Sequence, residues 1–119
     1  MAKELSIEET AALARAFYER NPNAIDDDDW RELDDLELSN IFVDAAFEGG
    51  EKIREMSFSH GSWVSLVQFA DHFFGVDDAE QYGPFRTIEE AIEEGPQFWG
   101  TDDILHDWIN PKFRAAFTK

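Results

Sequence analysis

The sequence contains no cysteine, and several kinds of chemistry are excluded with it. Disulfide bonds, thiolate nucleophiles and cysteine-based zinc sites all require this residue. Long apolar runs are missing too, because no stretch approaches the roughly 18 consecutive apolar residues of a membrane-spanning helix. The first residues, Met-Ala-Lys-Glu-Leu-Ser, lack the apolar core of a signal peptide. We therefore expect a cytoplasmic protein.

Basic residues are scarce. Ten Lys and Arg stand against 27 Asp and Glu, which gives a formal net charge of -17 at pH 7. Clustered Lys and Arg are needed to displace counterions from phosphates, so direct binding to nucleic acid is not expected, and an anionic membrane would repel the chain. The charge also exceeds the magnitude of roughly 2 to 8 that keeps a small domain soluble. It therefore points to a cationic partner, a saline cytoplasm or mimicry of a polyanion.

Apolar residues make up 43% of the chain, which is enough for one hydrophobic core. With no linker, repeat or low-complexity segment, residues 1–119 are expected to form a single domain.

Helices are predicted in the N-terminal part. Ser6 and Glu9 are spaced as a capping box that starts the first helix, and Asn21-Pro22 ends it. The acids 26–29 precede Trp30, Leu33 and Leu36 in a second helix, where they would complement the helix dipole. The apolar stretch 38–47 is expected to be helical and buried, ending at Gly49-Gly50.

Strand-forming patterns follow the two glycines. Residues 54–59, 62–69 and 72–76 carry Phe, Val and Trp alternating with polar residues, which predicts three antiparallel strands joined by tight turns. An acidic loop at 77–81 leads to a short helix capped by Thr87, and a last short helix is predicted around Ile104 to Trp108. The predicted fold class is therefore α+β: two N-terminal helices, a three-stranded antiparallel meander and two short C-terminal helices.

Motifs for catalysis or cofactor binding do not occur. His60, His72 and His106 have neither the i, i+4 nor the i, i+2 spacing of a metal site. Serines lie near His60, but no G-x-S-x-G nucleophile elbow surrounds them, and no glycine-rich phosphate-binding loop is present. We expect neither a metal nor a cofactor, and a protein that is not an enzyme.

The acidic side chains are the candidate functional residues. The densest group of acids lies between residues 26 and 48. A second group, Asp77 and Asp78, precedes the aromatic residue Tyr82 in a predicted loop. An acidic patch with an aromatic anchor is a common way to bind a basic protein. The predicted partner-binding residues are Asp27, Asp28, Asp29, Glu32, Asp34, Asp35, Asp77, Asp78, Tyr82 and Trp99.

A strand, turn and helix pattern runs from Phe73 to Ile92. Within it, residues 73–75, Tyr82-Gly83-Pro84-Phe85 and the segment 87–92 resemble small acidic bacterial immunity proteins of toxin–immunity systems. The resemblance implies a cytoplasmic, antitoxin-like inhibitor that blocks a toxin's active site with acidic side chains. It assigns no family-specific residue.

Three functions remain open at this stage. The leading hypothesis is an immunity protein, a monomer or small homo-oligomer, that neutralises a basic toxin or nucleic-acid-processing enzyme through electrostatically steered association. A DNA mimic directed against restriction or CRISPR systems would use carboxylates in place of phosphates. A housekeeping protein from a halophile would carry the acids as an adaptation to salt.

Overall fold

A computed structural model describes residues 5–59, 61–78, 80–95 and 104–117. In these ranges the chain has three α-helices, three short 3-10 helices and one five-stranded antiparallel sheet with the strand order β4-β3-β2-β1-β5. The α-helices are α1 Ile7–Arg20, α2 Asp35–Gly49 and α3 Ile88–Glu94, and the 3-10 helices are Pro22–Ala24, Trp30–Glu32 and Pro111–Phe117. The strands are β1 Glu51–Phe58, β2 Trp63–Phe69, β3 His72–Asp77, β4 Gln81–Phe85 and β5 Ile104–Ile109.

Both predicted helix caps, Ser6 and Thr87, start helices. The Ser6 hydroxyl accepts the Glu9 N–H at 3.1 Å while the Glu9 carboxylate accepts the Ser6 N–H at 3.0 Å, so two otherwise unpaired amides at the start of α1 are satisfied. At α3 the Thr87 hydroxyl accepts the N–H of Glu90 at 3.1 Å, which is one half of such a box. These local signals need no tertiary contact, and the sequence pattern located both correctly.

The second helix begins later than predicted. The acids 26–29 lie in a loop, Trp30–Glu32 form a single 3-10 turn, and α2 starts only after Asp34, whose side chain accepts the Glu37 N–H at 2.8 Å. An Asp at the N-cap position satisfies a free backbone amide, which favours a helix start at this residue over one inside the acidic run. The predicted first turn at Asp26 was therefore wrong.

The prediction of a three-stranded meander flanked by two C-terminal helices was also wrong, because the sheet has five strands. Residues 81–85, predicted as loop and turn, form edge strand β4, where Pro84 is tolerated since an edge strand leaves backbone groups unpaired. Residues 104–109, predicted as a helix, form β5 against β1. The apolar positions Ile104, Leu105 and Trp108 fit helical spacing, but pairing with β1 and an ion pair between Arg54 and Asp107 at 3.0 Å favour the strand.

Helices cover parts of both faces of the sheet. On one face α1 and α2 pack through Ala14, Tyr18 and Phe42 against Val67 and Phe74. On the other face Ile53, Leu66 and Phe85 pack against Ala91 of α3, with Phe113 and Phe117 of the last 3-10 helix. No helix in the described ranges is both long and apolar enough to cross a bilayer.

Candidate partner-binding surface

The loop between α1 and α2 is fixed by apolar residues that alternate with acids. Ile25 and Leu33 pack against the core, and Trp30 lies in it with 3% of its surface exposed. The intervening acids 26–29 and Glu32 are directed to solvent by these anchors. A short, anchored loop between two packed helices thus holds a run of carboxylates on the surface.

Several predicted binding residues have structural roles inside the chain. Asp34 caps α2, and the Asp35 carboxylate pairs with the Arg15 guanidinium at 2.9 Å. The Asp27 carboxylate accepts the Asp29 N–H at 2.8 Å, which orders the loop but leaves its other oxygen available. Asp34 and Asp35 are therefore engaged by this fold before any partner arrives.

The other predicted acids of this region have no ion pair with any residue that the structure describes. Asp28, Asp29 and Glu32 are exposed, and no basic side chain within the described ranges pairs with them. Arg31, which lies among them, instead pairs with Glu19 at 2.8 Å and stacks on the Trp30 ring at 4.4 Å. These three carboxylates are open to a partner.

The second predicted group lies at the β3–β4 turn. Tyr82 is half-buried against the Phe85 cluster, and its hydroxyl donates to the Asp77 carboxylate at 3.0 Å. Burial, followed by the hydrogen bonds and charges of Asp77 and Glu80, raises the pKa of Tyr82 well above its usual range. Asp77 also accepts the Glu80 N–H at 2.9 Å. Tyr82 thus stabilises its own turn, and of the three predicted residues Asp77, Asp78 and Tyr82, Asp78 alone is exposed.

Trp99, the remaining predicted residue, lies outside the described residues, as does His60 of the histidine trio. His72 places its Nδ1 3.0 Å from the Ala70 carbonyl oxygen, and His106 is exposed on β5. No group of three or more His, Asp or Glu side chains in the described part of the chain is placed to hold a metal ion.

A cavity beside the acidic loop was not predicted. It has a volume of about 320 Å³ and lies where the end of α1, the loop and the second half of α2 meet. Its lining residues include four acids and a buried tyrosine, together with apolar residues: Tyr18, Ala24, Ile25, Asp26, Asp27, Ile41, Asp44, Ala45 and Glu48. We call this the acidic cavity.

Helix geometry places two of those carboxylates together. Asp44 and Glu48 are four residues apart on α2, so they lie on the same helix face one turn apart. The sequence contained this spacing, but the packing of α2 against the loop that carries Asp26 and Asp27 depends on tertiary structure. No basic side chain of the described residues forms an ion pair with any of the four.

Tyr18, one of the residues beside this cavity, carries a buried hydroxyl group. This residue is 1% exposed, and its hydroxyl has no hydrogen-bond partner among the described residues. Burial raises the pKa of Tyr18 above its usual value, so the phenol stays neutral and can both donate and accept. A buried polar group without a partner is rare in folded proteins, and its burial costs free energy.

A second cavity, of about 360 Å³, lies on the sheet over β1, β2 and β5. Its walls are more apolar, with Trp63, Val64, Val76 and Phe47, and Trp63 remains 43% exposed. No cluster of one charge surrounds it. Its lining also contains polar residues of both charge signs, among them Lys52, Glu55 and His106.

Comparisons with known proteins return no relatives: the chain matches no family model, no curated protein and no solved structure.

Proposed function

We propose that this protein is an acidic inhibitor that binds and neutralises a basic partner, as an immunity protein does with its cognate toxin. The acidic surface that would bind consists of Asp26, Asp27, Asp28, Asp29, Glu32, Asp44 and Glu48. The observation that carries the proposal is that these carboxylates are exposed on an anchored scaffold and form no ion pair with basic residues of the described chain.

Physical reasons favour binding over a passive role for this surface. Like charges held close together repel one another, so such a group lowers the stability of the free protein. The acids that serve the fold are distinguishable, because Asp34 and Asp35 have defined partners inside the chain. A cationic partner would remove the repulsion among the rest, and the long-range field would speed encounter, which suits rapid neutralisation of a toxin.

The partner class follows from the charge. A protein with clustered Lys and Arg, such as an enzyme that acts on nucleic acid, presents the complementary surface. The inhibitor would cover that surface and exclude the enzyme's own polyanionic substrate. This role requires no catalytic group in the inhibitor.

Affinity capture with matched variants tests the proposal. The wild-type chain is immobilised beside a variant carrying Asp28→Lys and Glu32→Lys, which reverses two unpaired charges and leaves Asp34 and Asp35 intact. A control carries Glu8→Lys and Glu89→Lys, the same change in net charge on exposed acids of α1 and α3. Lysate is applied at low salt, and bound proteins are eluted with a salt gradient.

We expect one basic protein, encoded nearby and toxic alone, to be retained by the wild type and the control and lost from the surface variant. Recovery of restriction or CRISPR proteins that DNA displaces would favour mimicry of DNA instead. A chain that captures nothing and unfolds in dilute buffer but refolds in molar salt would favour halophilic adaptation, and both outcomes would overturn the proposal.

A further inference from the structure

The sheet ends in two edge strands, β4 and β5, and the two edges differ in how they are protected. An edge strand exposes backbone N–H and C=O groups, which proteins commonly block with proline, lysine or a covering segment. In β4, Pro84 has no N–H to donate, and its carbonyl accepts the Leu5 N–H at 2.9 Å. On one side β5 pairs with β1, and no residue of the described ranges pairs with its other side.

The outer side of β5 presents its backbone in a regular arrangement. Asn110 donates its N–H to the Ile53 carbonyl at 2.8 Å. From Ile109 back to His106 the pairing with β1 is regular, and it shifts only near the start of the strand. Because the backbone groups of an antiparallel strand alternate between its two sides, those of Asp107 and Ile109 point away from β1. With neither proline nor lysine in β5, this side is open to a further strand.

Large apolar side chains lie beside this edge. Leu105 of β5 is 71% exposed, Trp108 of β5 is 39% exposed and Trp63 of β2 is 43% exposed. Trp63 is paired with Ser57 of β1. Trp108 is paired with Glu55, two residues earlier on β1, so both tryptophans lie on the same face of the sheet. A strand that joins at β5 would therefore bury apolar surface as well as satisfy backbone groups.

Charge indicates which chain can join there. Strands β1, β2 and β5 and the last 3-10 helix carry four basic residues and three acidic ones, so their net charge is +1 in a chain of -17. These residues are Lys52, Arg54, Lys112 and Arg114 with Glu51, Glu55 and Asp107. Three ion pairs join members of this set: Lys52–Glu55, Arg54–Asp107 and Lys112–Glu51. A second copy of this chain can approach β5 without the like-charge repulsion that opposes contact between its acidic regions.

We propose that β5 pairs antiparallel with β5 of a second copy, so that the two sheets continue as one across a two-fold axis. Antiparallel pairing of a strand with itself is self-complementary, as the interface of a two-fold dimer requires. In a register centred on Asp107 or on Trp108, Trp108 of one copy lies opposite His106 or Trp108 of the other. None of the acids assigned to a basic partner lies on β1 or β5, so this inference does not rest on the proposed function.

Sedimentation equilibrium of the isolated full chain tests the pairing without any partner. Concentrations from about 1 to about 300 µM cover the weak affinity expected of a small interface. We expect a reversible equilibrium between monomer and dimer. Each copy carries -17, so raising the ionic strength from about 0.01 to about 0.15 M should tighten the dimer at least about threefold by screening the repulsion. Binding of a basic partner has the opposite dependence on salt, which distinguishes the two interactions.

Matched variants locate the interface. Leu105→Lys places a charge at the edge of β5, and Leu36→Lys makes the same change at an exposed leucine of α2, which is 54% exposed. Both side chains lie mainly in solvent, so circular dichroism should show an intact fold in each variant. We expect Leu105→Lys to weaken the dimer at least about tenfold, because lysine on an edge strand opposes pairing, and Leu36→Lys to change it less than about threefold.

The absence of cysteine allows a geometric test. A single cysteine introduced into this chain can be cross-linked only to the same residue of another copy. Pairing through β5 places the two His106 Cα atoms within roughly 14 Å of each other in either register. A bismaleimide of about that length should therefore cross-link His106→Cys at concentrations where the dimer is populated, whereas Leu36→Cys should remain monomeric.

A chain that stays monomeric over this concentration range in 0.15 M salt, or equal effects of the Leu105 and Leu36 substitutions, would overturn the proposal. A monomeric chain whose Leu105→Lys variant loses a captured protein would assign the edge to a strand of that protein instead of a second copy. A dimer that Trp63→Lys dissociates and Leu105→Lys does not would mean that the sheets stack face to face. Each of these outcomes leaves the proposed function untouched, because its test depends on Asp28 and Glu32.

Discussion

Replacing Tyr18 with Phe should make the protein more stable, although it deletes a polar group from a natural core. The side chain is 1% exposed, and its hydroxyl has no partner in the described chain. Burying a hydroxyl without a hydrogen bond costs about 1–3 kcal/mol in protein mutational data. Phe keeps the ring and its contacts with Phe42 and Trp30, so the substitution removes the cost and little else.

The expected gain is therefore about 1–3 kcal/mol in the free energy of unfolding, a large share of the roughly 5–15 kcal/mol that holds a domain together. For a chain of this length each kcal/mol corresponds to about 3–6 °C in Tm. Urea unfolding followed by tryptophan fluorescence and circular dichroism measures it, with the m-value required to stay constant.

Tyr82→Phe is the matched control for this substitution. The Tyr82 hydroxyl donates to the Asp77 carboxylate at 3.0 Å, so its removal should destabilise the protein by about 0.5–2 kcal/mol. The test is whether the two substitutions change the free energy of unfolding in opposite directions. A Tyr18→Phe variant less stable than the wild type would mean that the hydroxyl has a partner in the folded protein, and it would contradict this reasoning.

Three further predictions concern the fold. Gly83→Ala should destabilise the protein by more than about 1 kcal/mol in the same urea assay, because Gly83 has φ +104° and an added Cβ would lie 2.7 Å from the Phe73 carbonyl oxygen. Gly49 has no atom within 4 Å of an added Cβ, so Gly49→Ala should be neutral or stabilising. Phe42→Ala should cost about 3–5 kcal/mol by calorimetry, since this fully buried ring joins α2 to the sheet. The pKa of Glu9, measured by NMR, should lie below 4.5, because hydrogen bonds from Ser6 and then the Arg86 charge lower it. The contribution of Glu9 to stability is therefore present above pH 4.5 and is lost as the pH falls through the pKa of the folded state. A Glu9 that titrates at or above 4.5 would contradict the capping box.

Local signals in the sequence predicted local structure well. The capping box at Ser6 and the turn between β2 and β3 were both placed correctly, and that turn uses positive φ at Ala70 and Asp71. Such features depend on a few adjacent residues. They can be read without knowing what the segment packs against.

Strands that depend on pairing with distant residues were not predicted from local sequence patterns. Residues 104–109 carry apolar side chains at helical spacing, and only the edge of β1, some 50 residues earlier, makes them a strand. Residues 81–85 include Gly83 and Pro84, which indicate a turn, yet β3 pairs with them as an edge strand. In both segments the partner strand decides the conformation, and local propensity cannot show it.

In the candidate site, too, properties of composition could be predicted, whereas contacts between distant residues could not. Acidity of the region 26–48 is a property of composition and was evident at once. Which acids are already engaged was not, because the Arg15–Asp35 pair and the Tyr82–Asp77 bond join residues that only the fold brings together. The acidic cavity was missed for the same reason, since it needs α1, the loop and α2 in place.

The rate of association with the captured basic protein, measured by stopped flow as ionic strength rises from about 0.01 to about 0.15 M, tests the central claim most directly. If the acidic surface steers binding, the wild-type rate should fall at least about tenfold over this range, and the Asp28→Lys, Glu32→Lys variant should start lower and depend less on salt. The Glu8→Lys, Glu89→Lys control should stay close to the wild type. A wild-type rate indifferent to salt, or equal loss in the variant and the control, would contradict the assignment of this surface to a basic partner.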